Sequence, residues 1–458
     1  VSTALAGSVS AQATDDTALF STVVPPNVVL LVDNSGSMHN VVWHPAFDPN
    51  VTPTCQYWDD NSQYFVGPFT SDSFPSGAGD FVFQNGTYSI SSPGCVSTPR
   101  EIFDDPAVTA SINWTRWSGQ YLNWLFSSAA DPYVSDIVAT NNGTFSACVG
   151  GGSFSLYRRS RIEAAKEILR EVICQVNAAG AVRFGLAEFR RGSDPNGGYV
   201  VVPANDYLDS SGNPNVYTLD GQTKSQGQHL DDAIDQLTGE AWTPLAETLF
   251  QVYTYFMSRN ATDRPVGVDG VTKFPEYEYE PSHPSNGAQN SSGPPVVPDS
   301  PVQYACQKNF VVVITDGEPT RDDFTKASPT STAKSFDKFD KLIGDYNPDG
   351  EVEPPGFCCN GSLYLDDVAK FMQENDFRPD LPAVNGTEQV IDVYTVGFTT
   401  SPFANAILQK TANVGNGQFY FSNDPGKLAS DIISAVSDII QKSQSFTAAT
   451  VPATRTAA

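Results

Sequence analysis

The chain has 458 residues, with 26 Lys and Arg against 52 Asp and Glu, for a formal net charge of −26 at pH 7. So acidic a balance repels nucleic acid and anionic membranes, and it reads either as a solvated extracellular surface that attracts divalent cations or as a charge that merely keeps the protein in solution. The length allows one large domain with insertions or roughly two to three domains, with ample residues for a sizeable core.

Residues 1–27 read as an exposed lead-in ending in Pro25-Pro26. Within it, Ala4 to Ala13 has the small-residue character of a secretory cleavage site but lacks a basic start and a full apolar core, so it is either the tail of a signal or a flexible mature N-terminus. No apolar run approaches the roughly 18 residues a membrane span needs, so no direct span is expected and attachment to a cell would go through a partner.

Val28-Val29-Leu30-Leu31-Val32 is a continuous apolar run of strand length, rich in β-branched residues, and reads as a buried parallel strand. It ends in Asp33-Asn34-Ser35-Gly36-Ser37, where the alternation of Asp33, Ser35 and Ser37 can point three oxygens to one side. Gly36 is expected to let the backbone bend tightly around whatever those oxygens bind. Carboxylate and hydroxyl oxygens without Cys or His suit Mg²⁺, Mn²⁺ or Ca²⁺ and match zinc poorly.

Residues 39–157 form an insertion dense in aromatics, among them Trp43, Phe47, Trp58, Tyr64, Trp114, Trp117, Tyr121 and Trp124. Aromatics bury large areas and are favoured at binding surfaces, so the segment reads as a small core, a partner-binding face, or both. A loop of that length with no structure of its own would be anomalous.

An amphipathic helix follows over 158–173, then a strand over 182–189 and an edge strand over 199–202. Residues 205–227 read as polar turns and 230–237 as a short helix. Trp242-Thr243-Pro244-Leu245-Ala246-Glu247 leads into a helix from Pro244 to Met257, with Pro244 suited to a helix start. A Pro-, Ser- and Asn-rich insertion over 259–305 reads as a surface loop.

Phe310 to Thr315 repeats the pattern of an apolar strand closed by a carboxylate, here Asp316-Gly317-Glu318. A third insertion, 320–361, contains Asp345-x-Asn347-x-Asp349-Gly350 followed by Glu351 and Glu353, the opening of an EF-hand calcium loop. Its twelfth position is Gly356 rather than a bidentate Glu, and the competing reading is an Asx-type turn. The pattern then resumes with a helix over 363–374, a strand over 390–398, a helix over 402–411, a strand over 418–421 and a helix over 426–442, with 444–458 as a tail or linker. Strands alternating with helices from 28 to 443 imply an α/β fold: a doubly wound, Rossmann-like, mostly parallel sheet flanked by helices, with its ligand site at the carboxyl ends of the strands.

Seven cysteines stand at 55, 95, 148, 174, 306, 358 and 359, with no paired C-x-x-C spacing that would suggest zinc. In an exported protein most would be oxidised, and the odd count leaves at least one thiol over. Cys55–Cys95 and Cys174–Cys306 are candidate pairs, while Cys358 and Cys359 are expected to join two different partners because adjacent residues strain a mutual disulfide.

Asp33-x-Ser35-x-Ser37, Thr243 and Asp316, in that chain order and two of them at strand ends, resemble the metal-ion-dependent adhesion site of von Willebrand factor A (VWA) domains. The resemblance implies that Ser35, Ser37 and Thr243 touch a divalent cation directly, with Asp33 and Asp316 bonded to its water ligands or shifting in. It also implies an open coordination position for a carboxylate from a protein or surface ligand. The run Pro25 to Met38, His44 to Val51, Tyr364 to Ala369 and Tyr394 to Phe398 further resemble the N-terminal region of the PilC/PilY family of type IV pilus tip-associated adhesins. That implies an exported cell-surface adhesin at the pilus tip, with pilus tip or minor pilin subunits as partners. The alternatives are a structural or assembly factor that primes or caps a filament, or a force-sensing module. No G-x-S-x-G elbow, H-E-x-x-H or P-loop is present, and an enzyme is not expected.

Overall fold

A computed structural model describes residues 24–66, 81–83, 86–103, 115–141, 143–145, 152–177, 180–191, 197–257, 264–274, 300–322, 338–350, 359, 361–383, 388–422 and 424–445. The sheet is built from β1 (Asn27–Val32), β2 (Arg183–Phe189), β3 (Gly198–Val202), β4 (Asn309–Thr315), β5 (Ile391–Phe398) and β6 (Asn416–Ser422). Its six strands lie in the order β3-β2-β1-β4-β5-β6, and only β3, at one edge, runs antiparallel to its neighbour. β1 is therefore central, which is why all of its residues are apolar or buried: Val28 to Val32 are fully buried.

Side chains alternate across the pleat, so β1 feeds two separate cores. Val28, Leu30 and Val32 pack with α1 (Arg161–Asn177), α2 (Gln226–Asp235) and α6 (Pro425–Ser445). Val29 and Leu31 pack on the opposite face with α3 (Leu245–Met257), α4 (Leu365–Glu374) and α5 (Pro402–Val414). Helices thus cover both faces of a mostly parallel sheet. Every residue of α3 is buried, so it is held by packing all round rather than along one stripe. Its first turn is closed from a distance: the buried Asp322 carboxylate accepts the backbone N–H groups of Ala246 (3.1 Å) and Glu247 (2.9 Å), satisfying donors that a helix start leaves open.

Residues 205–227 are not simply turns. Val216–Leu219 and Gln222–Ser225 form an antiparallel hairpin, closed by Asp220 and Gly221 at φ 52° and 74°. Two consecutive left-handed residues are what a tight two-residue hairpin demands, and Asp-Gly supplies them. Ser225 then caps α2 in a reciprocal box with Gln228, which starts the helix earlier than its apolar pattern suggests.

The segment between Ser37 and α1 has a hydrophobic cluster of its own. Gln63–Val66 pairs in parallel with Phe81–Phe83 and antiparallel with Thr115–Ser118, and the helix Gly119–Leu125 follows. Trp117, Tyr121 and Trp124 stack in succession with centroids 5.7 and 5.3 Å apart, over Phe47, Trp58 and Tyr64, all buried. These aromatics form a core; Trp114 lies outside the described residues.

Cys55 and Cys95 are joined, tying two irregular strands of this cluster together. The expected Cys174–Cys306 pair does not form: Cys306 is an exposed free thiol. Cys174 and Cys359 are both disulfide-bonded, to partners outside the described residues.

Candidate metal centre

Asp33 and Asp316 terminate neighbouring parallel strands, since Val32 at the end of β1 is in register with Ile314 of β4. Both side chains are buried. Asp33 is fully engaged: Oδ1 accepts the Ser35 backbone N–H at 2.7 Å, and Oδ2 accepts the Thr315 hydroxyl at 2.5 Å and the Asp316 N–H at 3.4 Å. Burial first, and then the negative Asp316 beside it, push the Asp33 carboxyl up to about 7.

The hydroxyls bridge the two strand ends. Ser35 Oγ lies 2.9 Å from Ser37 Oγ, and Ser37 Oγ donates to Asp316 Oδ1 at 2.6 Å. Asn34 anchors the loop sideways to β2, while the Asn34 and Gly36 backbones pair with Ala241 at 3.1 Å each. That pairing brings the Thr243 loop to the same edge. Thr243 is buried, and its backbone N–H donates to Thr320 Oγ1 at 2.9 Å while its carbonyl accepts the Thr320 N–H at 3.0 Å. Asp33, Ser35, Ser37 and Asp316 are thus joined in one hydrogen-bonded cluster, and Thr243 is placed at the same edge by its backbone.

Gly36 stands where the chain turns tightly. Its φ is not left-handed; it opens a short 3-10 turn, Gly36–His39. A Cβ there would stand 3.0 Å from the Arg116 guanidinium, which donates to the Gly36 carbonyl, so a larger residue would need that flexible side chain to give by a few tenths of an ångström.

Three contributors escaped the sequence reading. Arg161, at the start of α1, donates from Nη1 to Asp316 Oδ2 at 2.7 Å. Trp43 lies over that guanidinium, its ring centroid 4.8 Å away. Arg116 comes from the aromatic insertion. No short-range spacing marks any of them; Arg161 is 155 residues from its partner.

His39, next to the loop, is buried, and burial followed by the nearby Arg116 pushes its imidazole down to about 4. A neutral imidazole has no charge with which to compete for the carboxylates.

Among the described residues no group of three or more His, Cys, Asp or Glu side chains could hold a metal ion. The cluster at the sheet edge falls outside such a group because it offers two carboxylates and otherwise hydroxyls. That donor set is all oxygen, and burial together with the neighbouring Asp316 disfavours the charged form of Asp33 when no cation is there, so the residues present fit a hard cation.

The loop that resembles an EF-hand opening is docked onto α4. Asn347 donates its N–H to Asp367 Oδ1 at 2.7 Å and its side-chain amide to Asp366 Oδ2 (2.7 Å) and Asp349 Oδ2 (3.1 Å). Lys410 pairs with both Asp349 and Asp366. Burial, with Asp366 and Asp345 nearby, raises the Asp367 carboxyl to about 6. Asp349 therefore faces Lys410, Asn347 accepts from Lys370 at 3.4 Å, and the two face one another; Glu351 and Glu353 lie outside the described residues.

Among the described residues no helix is long and apolar enough to cross a membrane. No family model matches the chain, and no curated protein matches it. Among solved structures, the pilus adhesin SpaC from Lactobacillus rhamnosus GG aligns with 62% of this chain and 29% of its own, at 12% identity and a TM-score of 0.33. The PilB minor pilin from Streptococcus sanguinis aligns with 64% of this chain and 57% of its own, at 12% identity and a TM-score of 0.31. This chain therefore spans between 29% and 57% of the length of these two neighbours.

Proposed function

We propose that the chain is an exported, pilus-associated adhesin or tip component that binds a protein or surface ligand through a divalent cation at the carboxyl edge of its sheet. The observation that carries the metal part is the bridge from Ser35 Oγ through Ser37 Oγ to Asp316 Oδ1, at 2.9 and 2.6 Å, beside the buried Asp33. Asp33, Ser35, Ser37, Thr243 and Asp316 would hold Mg²⁺, Mn²⁺ or Ca²⁺, in keeping with the VWA-like motif order. When bound, the ion would supply an open coordination position for a ligand carboxylate. The role is binding rather than catalysis: serines committed to a cation are not nucleophiles, and His39 is buried and neutral. The pilus part rests on the sequence runs that resemble the PilC/PilY family.

Calorimetric titration with Mg²⁺, Mn²⁺ and Ca²⁺ tests the site, with the Ser35→Ala/Ser37→Ala double variant as its control. One bound ion in the parent and none at this site in the variant is the expected result. Equal binding by both would reject the assignment. Attachment to cells and surfaces, measured with and without chelator and in the absence of other pilus components, separates an adhesin from an assembly factor.

A further inference from the structure

We propose that Arg161 is a tethered cation resident in the site, that it competes with the divalent ion for Asp316, and that Trp43 holds it there. The proposal rests on the metal reading above and adds a regulator to it.

Both oxygens of Asp316 are already used. Oδ1 takes the Ser37 hydroxyl at 2.6 Å, and Oδ2 takes the Arg161 guanidinium at 2.7 Å. The pair is dry, with 3% of the Arg161 side chain and none of the Asp316 side chain exposed. A buried guanidinium acts on a nearby like charge with less screening than it would in water.

Arg161 is fixed from two further directions. Its own backbone N–H donates to the Asn40 carbonyl at 2.9 Å, which pins the first turn of α1 to the chain leaving the metal loop. The face of Trp43 lies 4.8 Å from the guanidinium, a cation–π contact that gains strength away from water. Trp43 belongs to the aromatic insertion, where it packs edge-on to Phe47 at 5.0 Å and stacks with Tyr121 at 6.3 Å. The position of the guanidinium is therefore set partly by the core of the insertion.

A divalent ion held by Ser35, Ser37 and Asp316 would share the Asp316 carboxylate with this guanidinium. Like charges on one buried carboxylate repel, so the ion binds against Arg161 or displaces it. Displacement would break the Trp43 contact, and whatever moves the insertion would alter affinity at the site. Arg161 and Trp43 are positioning residues in this scheme, and neither ligates the ion.

The test is Mn²⁺ binding, followed by calorimetry and by loss of the free-ion paramagnetic resonance signal. It compares the parent with Arg161→Met, Arg161→Lys, Trp43→Leu and Ser37→Ala. Removing the charge in Arg161→Met should tighten Mn²⁺ binding by about tenfold or more, the scale on which a neighbouring charge shifts a buried equilibrium. Arg161→Lys keeps a charge and should stay near the parent. Trp43→Leu loosens the guanidinium without removing it, and should tighten binding by a smaller factor, about two- to fivefold. If Arg161→Met does not fold, as judged by near-ultraviolet circular dichroism, Trp43→Leu and Arg161→Lys decide the matter alone.

Equal or weaker binding by Arg161→Met overturns the proposal, since it would mean that the guanidinium orients Asp316 for the ion. Unchanged affinity in Trp43→Leu overturns the part assigned to Trp43. Ser37→Ala keeps this separate from the underlying assignment: if it abolishes binding while Arg161→Met matches the parent, only the competition fails. If Ser37→Ala binds like the parent, or no variant binds Mn²⁺ at all, the metal site fails and this proposal with it.

Discussion

Asn34 and Phe189 exchange two hydrogen bonds: the Asn34 amide donates to the Phe189 carbonyl at 3.2 Å, and its oxygen accepts the Phe189 N–H at 2.9 Å. A side chain in the loop after β1 thereby completes the backbone ladder at the end of β2. The Ser35 and Ser37 hydroxyls that follow this anchor can hold their positions only if the loop does not swing. Asn34→Ala leaves two buried backbone groups unpaired and should destabilise the protein by roughly 1–3 kcal/mol. Urea unfolding in chelator measures that loss, and divalent affinity should fall with it. An unchanged midpoint and slope would show that the loop is held without the clamp.

The pH dependence of the metal-free protein should carry two opposing signatures. Burial and Asp316 raise the Asp33 carboxyl from its ordinary 3.8 to about 7. The folded state then binds more protons than the unfolded state between about 4 and 7, and stability falls as pH rises through that window. His39 is lowered from 6.5 to about 4, so its contribution has the opposite slope: stability is lost as pH falls from about 6.5 towards 4. Asp33→Asn keeps the shape and removes the charge, so in chelator it should exceed the parent in stability at pH 8 and match it near pH 4. His39→Gln should flatten the acid side alone. Thermal unfolding at a series of pH values reads both, and parallel curves for parent and Asp33→Asn would show that Asp33 is not strained by its surroundings.

How much of this was legible in the sequence depended on the range of the interaction. The strands ending at Asp33 and Asp316 announced themselves because a buried parallel strand must be apolar throughout and a polar turn must end it. The serines of the loop followed from a spacing of two. The hairpin at 216–225 was also legible, through Asp220-Gly221, but its strands are exposed and alternate weakly, so the polarity of the segment hid them. Arg161, Asp322 and Trp43 could not be found that way. Each acts on a residue brought near only by the fold, as when Asp322 closes the first turn of a helix 75 residues earlier. The free cysteine was expected, yet its identity was not, because pairing depends on distances that spacing does not give.

Thiol chemistry offers a direct check on that last point. Cys306 is exposed, whereas Cys55, Cys95, Cys174 and Cys359 are all disulfide-bonded. With seven cysteines in the chain, one equivalent of a thiol reagent should react without denaturant, and Cys306→Ser should abolish the reaction. Labelling of two or more thiols in natively purified protein would contradict this pairing and would also count against an oxidising compartment.

The last prediction separates the insertion from the sheet. Trp117 is fully buried in the insertion's core, stacks on Tyr121 and donates its indole N–H to the Phe103 carbonyl at 3.2 Å. Trp117→Ala removes a large side chain from a small cluster, at a cost of about 3–5 kcal/mol, which a core of that size cannot absorb. The sheet has its own two cores, fed by alternate residues of β1, and neither contains Trp117. Limited proteolysis should therefore cut the variant between residues 39 and 157 while hydrogen exchange still protects β1 and β4. Attachment to a target surface should be lost with the insertion, since one coordinated carboxylate gives orientation but little of the roughly 1,200 Å² that a specific interface needs. If the insertion of Trp117→Ala is digested and adhesion persists, the ligand is read by the Thr243 loop and the turn after Asp316 instead.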